Sequence, residues 1–309
     1  MAEWRYEAGI GEARAALVED GVILKARIEL EGLRVGTVAE GRLRADKRVE
    51  LGDGDVLLGM VPSGVSEGAR LSVEIVREAI PEPGRTKLPK AVATDKPLAQ
   101  GPGLHARITA TGLPVRIVRA HEADALEAAG WSETLEEAVT GEIAFAGGML
   151  LMSVTPAMTL FDVDGGGTPE ALALAAAPAV AAAILRHGIG GSIGVDFPTL
   201  ANRDARLKVA EAIDAALPQP FERTAVNGFG FLQIVRRRAR ASLPELLRAD
   251  PAGAEARAAL RRIERLPPPL PASHMLSGRV LRAIAAHPEW TEELARRMGG
   301  PVTLKEQAR

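Results

Sequence analysis

Three aspartates lie at the ends of two apolar segments in the middle of the chain. Asp162 and Asp164 end a run of apolar and β-branched residues that three glycines follow, and Asp196 ends a second apolar segment. Residues two apart on a strand share a face, so Asp162 and Asp164 are predicted to point into the same space. Clustered carboxylates repel one another unless a cation lies between them, and Mg²⁺ binds one or two carboxylates together with substrate phosphates. The pattern therefore predicts a divalent-metal site that acts on a phosphate; the alternative is that the aspartates only cap turns or helices.

The segment between the two apolar runs is rich in alanine and predicts a helix, with Thr168 as its N-cap and Pro169 in its first turn. A strand, a helix and a second strand of these lengths form a βαβ unit with parallel strands. Asp162 and Asp196 are then expected at the same carboxyl edge of one sheet, where open α/β sheets bind their ligands.

Composition limits the kind of metal site and the location of the protein. The 309 residues include no cysteine, and the five histidines show no ligand-spaced pair, so any metal is expected to have oxygen ligands and zinc is excluded. The net charge of −2 gives no overall attraction to nucleic acid. The first residues contain no apolar leader and no apolar run is expected to reach the length that spans a bilayer, which predicts a cytoplasmic protein without a membrane partner.

The N-terminal part of the chain is predicted to be β structure. Asp20-Gly21 between two alternating segments predicts a hairpin over residues 12 to 30, and short strands over residues 32 to 78 predict a small barrel. No aromatic residue lies between Tyr6 and Trp131, so this barrel lacks the stacking surface with which small barrels usually hold single-stranded nucleic acid. Residues 79 to 104 are rich in proline and glycine and predict a linker.

The second half of the chain alternates helices with the strands already described. Arg107 to Arg119 is interpreted as a strand pair, and His121 to Val139 as helix with a break at Gly130. Further on, the patterns predict a helix from Asn202 to Leu217, a strand from Gly228, and helices beyond Ser242. Two groups of basic side chains stand out, and the alternative to a binding role is that they form solvated faces: Arg203 with Arg206, and Arg236, Arg237 and Arg238 with Arg240.

In order and residue type, residues 135 to 245 resemble the ribonuclease E/G family of bacterial endoribonucleases. Residues 10 to 90 resemble that family's N-terminal strands with an inserted S1-like barrel more loosely. The resemblance rests on these motifs: Gly147-Gly148, Thr155-Pro156-Ala157-Met158, Phe161-Asp162-Val163-Asp164, Gly190-Gly191, Val195-Asp196-Phe197, and Phe229-Gly230-Phe231-Leu232 with Arg236 and Arg238.

The resemblance implies a mixed α+β and α/β fold, with an RNase H-like catalytic domain and an inserted small S1/OB-like β-barrel. It also implies a Mg-dependent hydrolase that cleaves the phosphodiesters of single-stranded RNA, in RNA processing or decay, with Mn²⁺ as an alternative ion. In the family two strand-end aspartates bind the catalytic Mg²⁺. This assigns Asp162 and Asp196 as catalytic residues and, together with Asp164, as metal ligands.

The same resemblance suggests where RNA is held and how the chain is divided. Expected RNA-binding residues are Arg203, Arg206, Arg236 and Arg238, and the expected phosphate-contacting turn is Gly165, Gly166 and Gly167. The expected domains are the N-terminal strands of the catalytic domain (1–35), the barrel (36–78), a linker with a reduced sensor region (79–134), the catalytic domain (135–248) and a C-terminal helical region (249–309).

Several departures from the family pattern bear on function. The family usually has Asn where Asp164 stands, an arginine in the turn that is Gly165 to Gly167 here, and Ser-Arg in place of Asn227-Gly228. The zinc link of the long members cannot form without cysteine, so any homo-oligomer is not zinc-linked. The segment before the catalytic strand is too short for the full 5′-monophosphate sensor, and its only arginines are Arg107, Arg116 and Arg119, so we expect cleavage that ignores the 5′ end.

Two alternative functions remain open at the level of sequence. The lost arginines favour a non-catalytic RNA-binding relative. The run from Asp164 to Thr168 also resembles the phosphate-binding turn of actin-like ATPases and sugar kinases. Those proteins need a second, duplicated domain, and only about 140 residues follow the turn here.

Overall fold

The computed structural model describes residues 1–82, 84–269 and 271–307, and within them the fold is mixed α/β. The strands are β1 Glu3–Ala8, β2 Ala13–Glu19, β3 Val22–Glu29, β4 Val38–Leu43, β5 Arg48–Leu51, β6 Gly54–Leu58, β7 Arg70–Arg77, β8 Ile80–Glu82, β9 Arg85–Lys87, β10 Lys90–Ala93, β11 Val115–Ile117, β12 Glu142–Phe145, β13 Gly148–Val154, β14 Thr159–Gly165, β15 Gly191–Asp196, β16 Glu222–Arg223, β17 Phe231–Arg236, β18 His274–Leu276 and β19 Leu304–Glu306. The α-helices are α1 Leu104–Thr109, α2 Trp131–Thr140, α3 Pro169–His187, α4 Arg203–Ala216, α5 Leu243–Ala249, α6 Pro251–Glu264, α7 Gly278–Ala285 and α8 Pro288–Met298.

The first strands form a four-stranded sheet in the order β11-β1-β2-β3. The predicted hairpin is confirmed, and it turns at Asp20 and Gly21, which both have positive φ (50° and 80°), as a two-residue hairpin loop requires. These strands pair with β11 and not with the sheet that carries the aspartates, so they form a layer of their own.

The predicted strand pair over Arg107 to Arg119 is wrong. Its first part belongs to helix α1, and only β11, which pairs parallel with β1, is a strand. Leu104 and Ile108 are four residues apart, which is the helical spacing, and both are buried against Trp4 and Leu17 of the N-terminal sheet. The tertiary contact with this sheet explains why a short helix forms there.

The predicted small barrel is present as a closed barrel of five strands in the order β10-β6-β5-β4-β7. Its centre is filled by branched aliphatic side chains such as Val49, Val56, Val73 and Ile75. The closing strand β10 lies beyond residue 78, in the segment that its prolines and glycines predicted to be a linker. Ala91 is fully buried between two exposed neighbours, so the alternation of a strand survives in this proline-flanked segment.

A six-stranded sheet in the order β12-β13-β14-β15-β17-β16 carries the predicted site residues. The predicted βαβ unit is confirmed, because β14 and β15 are parallel neighbours joined through α3, while every other pair in this sheet is antiparallel. One face of the sheet packs on α3 and α4, and their contact forms the largest apolar core. The opposite face is exposed, so the sheet presents an open surface.

Helix α3 crosses behind this sheet and begins as predicted. The hydroxyl of Thr168 accepts a hydrogen bond from the backbone of Ala171, and Pro169 occupies the first turn. The helix runs through Pro178 without dividing. By length and composition α3 is apolar enough to cross a membrane, which differs from the expectation that no segment is. Nine of its residues are buried in the core between the two sheets, as in the central helix of a folded domain.

The last three helices pack on the edge of the N-terminal sheet. Their apolar contact includes Ile10 and Trp290, and beside it lies a buried ionic cluster, which we call the Glu7 cluster. Glu7 accepts hydrogen bonds from Arg261 at 2.8 and 3.0 Å and from Arg265 at 3.2 Å, and it also pairs with Arg14. Both Glu7 and Arg14 are buried, so water cannot solvate the Glu7 carboxylate. Arg261 and Arg265 therefore supply the charges that it needs.

Candidate active site

Asp162 and Asp196 are side by side on the open face of the six-stranded sheet. They are register partners on the parallel strands β14 and β15, and both side chains are exposed. Partners on adjacent parallel strands point to the same face, about 4.8 Å apart at their Cα atoms. The strand-end placement predicted for the two aspartates is thus present as a direct lateral pair.

The buried faces of the two strands fix this pair in position. Phe161 and Val163 flank Asp162 and enter the core, and Ile193 and Val195 do the same on β15. Slipping either strand by one residue would bury an aspartate and expose the core, so the register is strongly determined.

Gly194 clears space on the open face beside Asp196. A Cβ atom at this position would lie 2.6 Å from the Phe231 ring and 2.7 Å from Leu160. Because glycine has no side chain, Phe231 and Leu160 occupy this space beside Asp196, whose own side chain is exposed.

The residues suit a hard cation that takes few protein ligands. Two adjacent carboxylates can hold a Mg²⁺ ion whose remaining positions are filled by water and by phosphate oxygens. Asp164 shares the open face and pairs with Met149 on β13, but it lies two residues beyond Asp162, where the pairing with β15 ends. Within the described part of the chain, no three His, Asp or Glu side chains are gathered closely enough to enclose a metal ion.

Two helices begin at the same edge of the sheet. The turn Gly165 to Gly167 is exposed and leads into α3, and a Cβ atom at Gly166 or Gly167 would meet nothing within 4 Å. Arg203 opens α4 and is exposed, while Arg206 reaches the Leu200 carbonyl at 3.4 Å. Exposed backbone amides at a helix start and nearby arginines together favour anion binding.

Arg236 and Arg238 do not lie beside the aspartates, although β17, which carries Arg236, is the strand next to β15. Strand β17 runs antiparallel to β15, so Phe231 is beside Asp196 and Arg236 is beside Gly191, at the other end. Five residues of strand separate the two positions, about 17 Å. Arg238 is held there in an ion pair with Glu245.

Arg238, with its neighbour Arg237, instead lines a cavity of about 400 Å³ between the N-terminal sheet, the end of α3 and the segment after β17. Six arginines and three glutamates line it. Burial, followed by the charges of Arg236, Arg107 and Arg240, lowers the pKa of Arg27 to about 10. The Arg27 guanidinium donates to the Leu185 and Arg186 carbonyls at the end of α3, so it also closes that helix.

Phe229 is a candidate site residue to which the sequence patterns assigned no role. Its side chain is 83% exposed, and it lies in the loop between Val226 and β17, next to the residues around Asp196. The sequence signal was the Asn227-Gly228-Phe229-Gly230 turn, which places an aromatic side chain among turn formers where no core position is available.

The six-stranded sheet and its paired carboxylates lie within the part of the chain that matches a known family: the model of the Ribonuclease E/G family matches residues 105–239, as the motifs predicted. Among its relatives is Ribonuclease G of Escherichia coli K12, which is 31% identical over 114 residues. Ribonuclease G of Shigella flexneri is also 31% identical, and that of Salmonella typhimurium is 30% identical, over the same length. Each alignment covers 33% of this chain, and the chain spans only 23% of the length of these curated relatives.

Proposed function

We propose that this chain is a metal-dependent endoribonuclease that hydrolyses phosphodiester bonds of single-stranded RNA. The observation that carries the proposal is the lateral pair of Asp162 and Asp196 on an open sheet face. Two exposed carboxylates at adjacent strand positions repel each other, and the register of β14 and β15 holds them side by side. A divalent ion and a phosphate are the natural complement to such a pair.

The chain's own residues have distinct parts in this reaction. Asp162 and Asp196 would hold the ion, and Asp164 lies further along the same face to orient water. Arg203, Arg206 and the Gly165 to Gly167 turn would bind phosphates flanking the cleaved bond. When bound, the ion supplies Lewis-acid activation of a water and charge neutralisation at the phosphate. Hydrolysis of this type leaves a 5′-phosphate and a 3′-hydroxyl.

The assignment of the domains is part of the proposal. We propose that residues 135–248 form the RNase H-like catalytic domain and that the closed barrel, with β10 as its closing strand, is S1/OB-like. Residues 1–35, the rest of 79–134 and residues 249–309 are proposed to support them. The protein is proposed to act in the cytoplasm, without a membrane partner and without a zinc-linked dimer.

A non-catalytic RNA-binding relative is the second candidate. It is favoured by the exposed glycine turn, which lacks the family's arginine, and by the separation of Asp164 from the aspartate pair. In that case the open face would still bind RNA, and the difference from the main proposal lies in turnover alone.

The decisive experiment incubates a 5′-labelled single-stranded RNA with the protein, with and without Mg²⁺. We expect cleavage that requires the ion, and its loss in Asp162→Asn and in Asp196→Asn. Glu222→Gln is the matched control, because Glu222 is an exposed carboxylate on an edge strand of the same sheet. Cleavage that persists in both aspartate variants would rule out the proposed site. Binding without cleavage by the unmodified protein would favour the non-catalytic relative.

We further propose that cleavage is indifferent to the 5′ end of the RNA. Arg107 is already paired with Glu29, and Arg116 lies 3.7 Å from Glu122, so two of the three arginines in this region are committed within the protein. Single-turnover rates for one RNA with a 5′-monophosphate or a 5′-hydroxyl should be nearly equal. A tenfold preference for the monophosphate, about 1.4 kcal/mol, would reveal a terminal phosphate pocket.

A further inference from the structure

Phe229 differs from every other aromatic residue of the chain. The chain has six Phe, three Trp and one Tyr, all within the described residues, and Phe229 alone is exposed. Its exposed fraction is 83%, whereas Phe161, Phe197 and the three tryptophans are buried. An aromatic ring left in water forgoes about 1.5–3 kcal/mol of burial free energy, so its exposure calls for a cause.

The loop that carries Phe229 is firmly held. The Asn227 side-chain oxygen accepts hydrogen bonds from the backbone N–H groups of Phe229 at 2.9 Å and Phe231 at 3.0 Å. Gly230 has φ of +96°, and a Cβ atom there would lie 2.1 Å from the Phe197 carbonyl oxygen. The ring therefore projects from an ordered turn and not from a loose loop.

The same turn is bonded to the aspartate edge of the sheet. The backbone N–H of Phe197, the residue after Asp196, donates to the Gly230 carbonyl at 3.2 Å. The next residue of the turn, Phe231, is the register partner of Asp196. Phe229 therefore lies in the turn that leads into β17, two residues before the register partner of Asp196.

Elsewhere in residues 1–82, 84–269 and 271–307, no other aromatic side chain is exposed in this way. The barrel has no aromatic residue, and the other aromatic rings are wholly or partly covered. Around the pair, the open sheet face adds the partly covered side chains of Phe231 and Leu160 and the partly exposed Met149 and Leu151 at 38% each. A ring with a free face near a phosphate site suits a flat, apolar, unpaired base.

We propose that Phe229 is a nucleobase-stacking site that holds the base of an unpaired nucleotide beside the Asp162 and Asp196 pair. The inference rests on the proposed function and adds the means of substrate selection. Every base has a π face, so this site selects for single-stranded RNA and not for a sequence. Bases within a duplex are already stacked and cannot reach the ring.

The test measures binding of a fluorescein-labelled single-stranded RNA to the Asp162→Asn protein, which prevents cleavage. Adding Phe229→Ala should weaken binding by about 5- to 150-fold, the loss expected for one stacked base. Phe229→Trp should restore it. The three native tryptophans are buried, so the introduced indole is the exposed fluorophore, and its emission should be quenched when RNA binds. Val235→Ala is the matched control, since Val235 is an exposed apolar residue at the far end of β17.

A strand of the same length with abasic sugars separates stacking from charge. It keeps the phosphates, so the proteins with Phe229 and with Phe229→Ala should bind it equally. Equal binding of normal RNA by these two proteins, or an unquenched indole in Phe229→Trp, would overturn the stacking site and leave the nuclease proposal intact. Failure of the unmodified protein and of Asp162→Asn to bind any RNA would overturn both. Because Phe229 is exposed, the melting temperature should not change in any of these variants.

Discussion

The charge of the aspartate pair should make Asp196→Asn stabilise or destabilise the protein according to the metal present. In wild type two exposed carboxylates face each other across strands about 4.8 Å apart. Two like charges at such a distance repel by about 1 kcal/mol in a water-like medium, and salt reduces this further. Without a divalent ion, Asn at position 196 should therefore raise the free energy of unfolding by up to about 1 kcal/mol.

The sign should reverse when Mg²⁺ is added. An ion that binds only the folded protein stabilises it by about 2.7 kcal/mol at one hundred times its dissociation constant, and the variant should lose this gain. Thermal melting should therefore give a higher melting temperature for Asp196→Asn than for wild type in EDTA, and a lower one in excess Mg²⁺. Glu222→Gln removes one charge from the same sheet, and its melting temperature should keep the same order relative to wild type in both conditions. An Asp196→Asn protein that melts below wild type in EDTA, or that keeps the full Mg²⁺ shift, would refute the metal-holding role of the pair.

The other predictions concern phosphate binding, the buried charges and pH. Arg203→Ala and Arg206→Ala should each lower the slope of log affinity against log salt by about 0.7, the value for one contact to single-stranded RNA, whereas Arg236→Ala at the opposite edge should leave it unchanged. A drop with Arg236→Ala would extend the RNA path across the sheet. Glu7→Gln should lower the free energy of unfolding in urea by about 3–5 kcal/mol because it leaves buried arginines uncompensated, and a loss below about 1 kcal/mol would contradict this. Burial lowers the pKa of His187 despite its hydrogen bond to a glutamate, so its contribution to stability is complete above pH 6.5 and is lost as the pH falls below that value. His187→Gln should flatten this dependence, and an unchanged pH profile would assign it to other groups.

Local sequence signals predicted much of the fold around the site. The hairpin at Asp20-Gly21 and the start of α3 at Thr168 are each encoded within four residues, so sequence alone identifies them. The parallel pairing of β14 and β15 follows from the length of the connection between them, because a crossover helix allows few other arrangements. The lateral contact of Asp162 with Asp196 is a direct consequence of that topology.

The features that the sequence did not predict are those whose structure depends on long-range contacts. Nothing local to Arg236 indicates that its strand runs back from the aspartate edge, since strand direction depends on which neighbour β17 pairs with. Helix α1 and barrel strand β10 likewise depend on partners far along the chain. Phe229 was overlooked because exposure, the property that sets it apart, belongs to the folded surface and not to the sequence.

The Glu7 cluster has a consequence for the order in which the protein acquires its structure during synthesis. Glu7 and Arg14 leave the ribosome about 250 residues before Arg261 and Arg265, which are the C-terminal ion-pair partners of Glu7. Until then the inner edge of the first sheet carries charges that cannot be buried without large cost. The N-terminal sheet should therefore remain incomplete on the nascent chain while the barrel, whose core comes from residues 38 to 93, can close early. The N-terminal sheet can then be completed only after the C-terminal helices have left the ribosome, because these helices carry the arginines that pair with Glu7.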